Sequence, residues 1–195
     1  MRGRTFMCFF SNDVPEYSET LHEDICENDG NAVIHISNLS RRDIRSLIFH
    51  ILYAAESHGY EESVESIIDN LSRGFDIAIT PDSEVVSIAR HVIDLRDSLD
   101  DIYKPLLTNW RFDRVSVSIK LILRLAVWEL LYTNTDQKII INEAVELAKC
   151  FAEEDAYRFI NGILDGIAQK QKESKSTENT VDRTLDTTES DTEKI

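Results

Sequence analysis

Hydrophobic residues recur at the three- and four-residue spacing of a buried helical face along most of the middle of the chain, which predicts a succession of amphipathic helices. Ser40 followed by Asp43 supplies an N-cap and a first-turn acid, and Ile44, Leu47, Ile48, Ile51, Leu52 and Ala55 then repeat at helical spacing until Gly59. A second helix is expected from about Glu61 to Ser72, with Val64, Ile67, Ile68 and Leu71 inward and a stop near Gly74. Thr80 before Pro81 opens a third, because proline is tolerated where the first helical N–H has no partner. Val85, Ile88, Ala89, Val92, Leu95 and Leu99 carry that helix to about Tyr103. Lys104-Pro105 then breaks the chain, and Leu106, Leu107 and Trp110 are expected to pack as a short turn.

From Val115 to Tyr132 one side is almost wholly apolar, which predicts a central helix. After a polar linker at 134–138, the stretch Ile141 to Asp165 reads as two helices joined by an acidic corner. Ala144, Val145, Leu147, Ala148 and Phe151 form the first stripe, and Phe159, Ile160, Ile163, Leu164 and Ile167 form the second. No run alternates as a strand does, and no period repeats, so the expected fold class is all-α. Val33, Ile34 and Ile36 are compatible with a short strand or with docking on the helical body.

The 195 residues are 42% hydrophobic, enough for one ordinary globular domain with loose flanks. Three regions are expected: a largely disordered acidic extension at 1–39, a helical body at 40–170, and a disordered acidic tail at 171–195. The tail is rich in Ser, Thr, Asp and Glu and buries too little surface to offset the entropy of ordering. A net charge of −15 counts against nucleic-acid binding. Residues 1–40 carry −5 of it and residues 171–195 carry −3, so the middle remains compatible with a local basic patch. Cys8, Cys26 and Cys150 form no CxxC pair, and the apolar run Phe6 to Phe10 is too short for a secretory segment. No stretch approaches the roughly 18 apolar residues of a membrane span. A soluble protein of the reducing cytoplasm is the expectation.

Arg41, Arg42 and Arg45 fall on one side of the first helix, where three cations suit a phosphate backbone but equally suit a solvated helix end. The helix dipole disfavours cations there, which points weakly to an external anion. Phe151 and Phe159 flank the corner that holds Asp155. Aromatic rings beside a basic patch stack on unpaired bases at about 1–3 kcal/mol per base, although packing alone also accounts for both rings. Asp155 reads as an N-cap or first-turn acid of the last helix, and Asn161 as a possible tie between two helices. Only His22 and Cys26 stand at metal-ligand spacing among the histidines, and neither a GxSxG motif, a P-loop nor a dinucleotide fingerprint occurs. Catalytic residues, metals, cofactors and a small-molecule substrate are therefore not expected.

Four blocks in order resemble the NusB family of bacterial transcription antitermination factors: RRDIRSLIFHILYA from Arg41, DDIYKPLLTNW to Trp110, DRVSVSIKLILRLAVWELLY from Asp113, and INEAVELAKCFAEEDAYRFINGILD from Ile141. They cover roughly residues 40–169. The resemblance implies an all-helical protein of about six to seven helices in two packed subbundles. It further implies binding of single-stranded boxA-type RNA of ribosomal RNA transcripts together with NusE, a ribosomal protein, within the antitermination complex on RNA polymerase. Carried over by position, the RNA-binding residues are Arg41, Arg42, Arg45, Phe151, Asp155 and Phe159, which the family fold would gather into one composite surface. Tyr53 falls on the NusE side. Asp43 departs from the basic or neutral residue of many members, Ala152 replaces a common corner glycine, and the usual proline before Lys138 is missing. The competing readings are the NusB-like RNA-binding domain of a ribosomal RNA cytosine methyltransferase, and a helical module that binds protein only. The sequence contains no glycine-rich cofactor loop, which counts against the first.

Overall fold

The computed structural model describes residues 34–75, 77–107 and 110–185. Seven α-helices occur among them: α1 (Arg41–Ser57), α2 (Val64–Phe75), α3 (Glu84–Asp94), α4 (Arg96–Tyr103), α5 (Val117–Tyr132), α6 (Gln137–Phe151) and α7 (Ala156–Leu185). Short 3-10 turns lie at Ile36–Asn38, Lys104–Leu106 and Phe112–Arg114. Helices α1, α2 and α3 pack together as one group and α4, α6 and α7 gather around α5 as the other, with α1 against α5 joining the two. Every residue from Leu121 to Leu130 is buried, so α5 is the central helix that its apolar composition predicts. The expected all-α architecture is the observed one.

One minor element departs from pure helix. The backbone of Ile34–His35 (β1) pairs in parallel with Ile77–Ala78 (β2), in the register Ile34 to Ile77. This pair anchors the chain just before α1 to the α2–α3 connection, whose Ile77 is buried in the common core. The chain immediately before the arginines is thereby held in place.

The single helix expected from Pro81 to Tyr103 is two. Residues 81 and 82 form a turn, Ser83 takes the extended N-cap conformation, and α3 ends at Leu95 with φ −94° and ψ 5° before α4 restarts. Arg96 Nη1 donates to the Ile93 carbonyl oxygen at 3.0 Å, satisfying an acceptor that the break exposes. No Gly or Pro marks the break, so the apolar periodicity runs straight through it. Helix α7 continues to Leu185. Most of the acidic N-terminal extension (residues 1–33), the end of the tail (residues 186–195) and the His22–Cys26 pair lie outside the described residues.

A buried polar hub fastens the two groups of helices. Arg124 of α5 donates through Nε and Nη2 to Asp100 Oδ1 and Oδ2 of α4, at 2.8 and 2.9 Å. Its Nη1 reaches Glu56 Oε2 of α1 at 2.8 Å and the Tyr60 hydroxyl at 2.9 Å. Tyr103 donates its hydroxyl proton to Asp100, and Tyr60 donates to Glu56. Burial and the Glu56 carboxylate push the Tyr60 phenol up to about 12, so it remains a donor at any ordinary pH. Tyr60 has φ +62°, a left-handed conformation costing a bulky residue roughly 1–2 kcal/mol. The hub supplies a compensating set of hydrogen bonds for that turn.

Candidate nucleic-acid interface

The start of α1 is fixed by a reciprocal capping box. Ser40 Oγ accepts from the Asp43 amide at 3.2 Å, and Asp43 Oδ2 accepts from the Ser40 amide at 3.1 Å. Asp43 also accepts the Ser40 hydroxyl proton at 2.6 Å, so this carboxylate serves the helix end. With that end fixed, the three arginines diverge in environment. Arg41 is exposed and has no ion-pair partner among the described residues. Arg42, whose side chain is 59% exposed, reaches across to α6 and grips Glu143 through Nη2 at 3.1 Å and Nε at 3.3 Å.

Arg45 corrects the expectation that all three cations share a solvent-facing side. It is buried, donating to Glu129 of α5 through Nε at 2.8 Å and Nη2 at 2.8 Å. Its Nη1 stands 3.8 Å from Glu143 Oε2. Burial works against its charge, but the hydrogen bonds and charge of Glu129 outweigh it and raise its pKa. The reason was present in the spacing: Arg45 precedes Ile48 by three residues and Leu52 by seven, which puts it inside the core stripe. Ser40, Arg41, Arg42, Arg45, Thr135, Ile139 and Glu143 together line an open groove of about 520 Å³. Two of its arginines face carboxylates, leaving Arg41 as the groove's uncompensated cation among the described residues.

Phe151, the last residue of α6, joins this side of the molecule. Its ring stacks on Phe49 with centroids 4.6 Å apart and 20° between planes, and meets His50 edge-on at 5.1 Å. Tyr53 lies beyond Phe49 at 6.1 Å and is 47% exposed. Along α1, then, the arginine groove is followed by an aromatic cluster, and α6 supplies Glu143 to the first and Phe151 to the second. Burial lowers the His50 pKa, only partly opposed by its contact with the Ser46 carbonyl oxygen, so the imidazole in this cluster favours the neutral form.

Asp155 and Phe159 occupy a different corner. The Phe159 ring lies 5.5 Å from that of Trp110, and both line an apolar pocket of about 350 Å³ with Val115, Ile119, Ala156 and Asp155. Phe151 and Phe159 therefore belong to separate ring clusters, and the three motif residues do not gather on the arginine groove. Asp155 directly precedes α7 but has φ +72°, outside the extended conformation of an N-cap, which corrects that reading. Its carboxylate instead pairs with Arg158 Nη1 at 3.3 Å. Asn161 donates to Asp165 within α7 at 2.8 Å, and among the described residues it bonds to no second helix. Trp110, expected only to pack, is 58% exposed. A tryptophan in the polar run TNWRFD was the available signal.

Among the described residues no group of acidic, histidine or cysteine side chains is arranged to hold a metal ion, and no helix is long and apolar enough to cross a membrane.

Comparison with known proteins gives one consistent result. The model of the NusB family matches residues 42–169. The Macrococcus caseolyticus transcription antitermination protein NusB is 36% identical over 135 residues, spanning 68% of this chain and 99% of that protein. Its Staphylococcus epidermidis counterpart is 36% identical over 134 residues, 66% of this chain and 98% of its own. Among solved structures, T. maritima NusB superposes with a TM-score of 0.57 at 28% identity, covering 67% of this chain and 92% of that one. A structure described as antitermination factors NusB and NusE in complex with dsRNA aligns at 24% identity, with a TM-score of 0.53 and coverage of 67% and 96%. At that identity the likeness concerns the fold.

Proposed function

The chain belongs to the NusB family of transcription antitermination proteins, which are not enzymes, and from that membership we propose that it binds boxA-type RNA of ribosomal RNA transcripts together with NusE. In this reading the pair enters the antitermination complex on RNA polymerase in the cytoplasm. The observation that carries it is the groove at the start of α1, where Arg41 has no ion-pair partner among the described residues and Arg42 is largely exposed. Such a groove suits the phosphates of a single strand, and the rings of Phe151, in the aromatic cluster next along α1, and of Phe159, at the second corner, offer stacking surfaces. Arg45 acts from beneath, by holding α1 to α5 and leaving its neighbours to meet the RNA. Asp155 contributes at the α6–α7 corner and Tyr53 on the NusE side. The fold neighbour that contains NusB, NusE and RNA lends this assembly support.

The net charge of −15 predicts weak binding by the chain alone and a strong dependence on the partner. Fluorescence anisotropy of labelled boxA RNA, with the chain alone and with NusE, tests the reading across a salt series. Tight, salt-sensitive binding is expected in the mixture, weakened by combined Arg41→Ala and Arg42→Ala. Absence of binding in both mixtures, or an unaltered affinity in the double variant, rejects it.

A further inference from the structure

We propose that Glu143 is an internal competitor of RNA in the arginine groove, standing in for a phosphate on Arg42 in the free protein and passing to Arg45 when RNA arrives. The inference rests on the RNA-binding reading above. It starts from an asymmetry: Glu143 meets Arg42 at two hydrogen-bonding distances, 3.1 and 3.3 Å, yet stands only 3.8 Å from Arg45 Nη1. Arg45 commits Nε and Nη2 to Glu129. Its Nη1 makes only a long 3.5 Å contact with the Arg41 carbonyl oxygen, so it retains donor capacity directed at Glu143. A shift of less than 1 Å in the Glu143 carboxylate would complete a bond to Arg45 (3.8 Å against an ordinary 2.7–3.2 Å).

The exchange has a definite electrostatic logic. Arg42 is 59% exposed whereas the Glu143 side chain is 15% exposed, so the guanidinium is open to solvent and its carboxylate partner is recessed. Glu143 is the first cause of the raised Arg42 pKa, through its hydrogen bond and then its charge. A phosphate approaching from solvent meets Arg41 freely but must compete with Glu143 for Arg42. When the phosphate wins, Glu143 is not stranded, because Arg45 lies on its inner side. An RNA whose backbone seats a phosphate squarely on Arg42 drives that exchange, and a poorly fitting strand gains only Arg41. The affinity of a well-seated RNA therefore carries the cost of displacing an internal anion, which a strand held by Arg41 alone does not bear.

The test uses the 195-residue chain with NusE, a boxA RNA and a scrambled RNA of the same length and composition, each titrated over a range of salt. Glu143→Gln keeps the shape and an acceptor but removes the charge. It should tighten binding of boxA RNA about two- to five-fold, the worth of one exposed ion pair that no longer has to be displaced, and tighten the scrambled RNA by no more than that, so that discrimination is held or rises. The salt slope for the scrambled RNA should steepen by roughly 0.7, one additional phosphate contact on a single strand. In an Arg42→Ala background the gain from Glu143→Gln should vanish. A side chain with only a structural role would lower the melting temperature and leave RNA affinity and salt slope untouched. No gain in boxA affinity, a gain larger for the scrambled RNA than for boxA, or a gain that persists without Arg42 overturns the inference while the RNA-binding reading stands. No RNA binding by the wild-type chain in any mixture overturns both.

Discussion

Arg45 of α1 and Glu129 of α5 form a two-pronged ion pair between the groups of helices, with side chains 11% and 10% exposed. Both residues sit in otherwise apolar helical faces, so neither charge has water to fall back on. The pair ties the start of α1, which carries Arg41 and Arg42, to α5.

Removing one partner leaves the other as an uncompensated buried charge, and Arg45→Ala is expected to cost about 3–5 kcal/mol of stability. Replacing both, Arg45→Met with Glu129→Leu, should recover most of that loss. Arg41→Ala, at an exposed site without an ion-pair partner among the described residues, should stay within about 0.5 kcal/mol of wild type. Urea unfolding of the variants measures all of these. An Arg45→Ala protein as stable as the parent would remove the structural role assigned to this arginine.

Acid should weaken the Arg124 hub through Glu56. Burial favours its neutral form, but hydrogen bonds from Tyr60 and Arg124 outweigh burial and hold its pKa below the ordinary 4.5. A carboxyl with a depressed folded-state pKa contributes stability that is present above its unfolded value and is lost as pH falls through the folded one. Glu56→Gln should therefore be less stable than wild type at pH 7, with the gap closing below about pH 4.5. Denaturant midpoints at several pH values decide the point, and a gap that does not change with pH contradicts it.

The course of the helices was legible because burial on one face imposes a period that survives in the sequence. That same period hid the α3–α4 break, since Leu95 and Leu99 remain in phase across it and no Gly or Pro interrupts them. The Ile34 to Ile77 pairing involves two residues on each strand, too few to form an alternation. The motif at 141–165 was visible as sequence, yet its residues serve different places: Glu143 and Phe151 face α1, and Phe159 faces Trp110. Arg45, Arg124 and Glu129 shared a signal, a charge placed inside an apolar stripe. Side-chain type suggested a surface for Arg45, whereas position required a buried partner.

His50 gives a second pH dependence of the same sign by a different route. Burial lowers its pKa below the ordinary 6.5, so the unfolded chain binds a proton more readily than the folded one. Stability tied to the neutral ring is present above about pH 6.5 and declines as pH falls below it. Melting curves between pH 7.5 and 5.5 should show a decline that His50→Gln reduces. An identical decline in both proteins would assign the effect to other groups.

The two aromatic rings of the acidic corner should separate stability from RNA affinity. Phe151 stacks on Phe49, which is 3% exposed, so its truncation opens the α1–α6 contact and Phe151→Ala should cost about 2 kcal/mol of folding stability. Phe159 leans on Trp110, which is 58% exposed, so Phe159→Ala leaves its neighbour partly in water and should cost less. If a base stacks at this second corner, Phe159→Ala should weaken boxA binding by about 1–3 kcal/mol, and Phe159→Tyr should retain it because the ring face is kept. Unfolding curves and RNA titrations on the same preparations distinguish the two effects. Affinity lost only in step with stability would make Phe159 a packing residue and confine RNA contact to the groove at the start of α1.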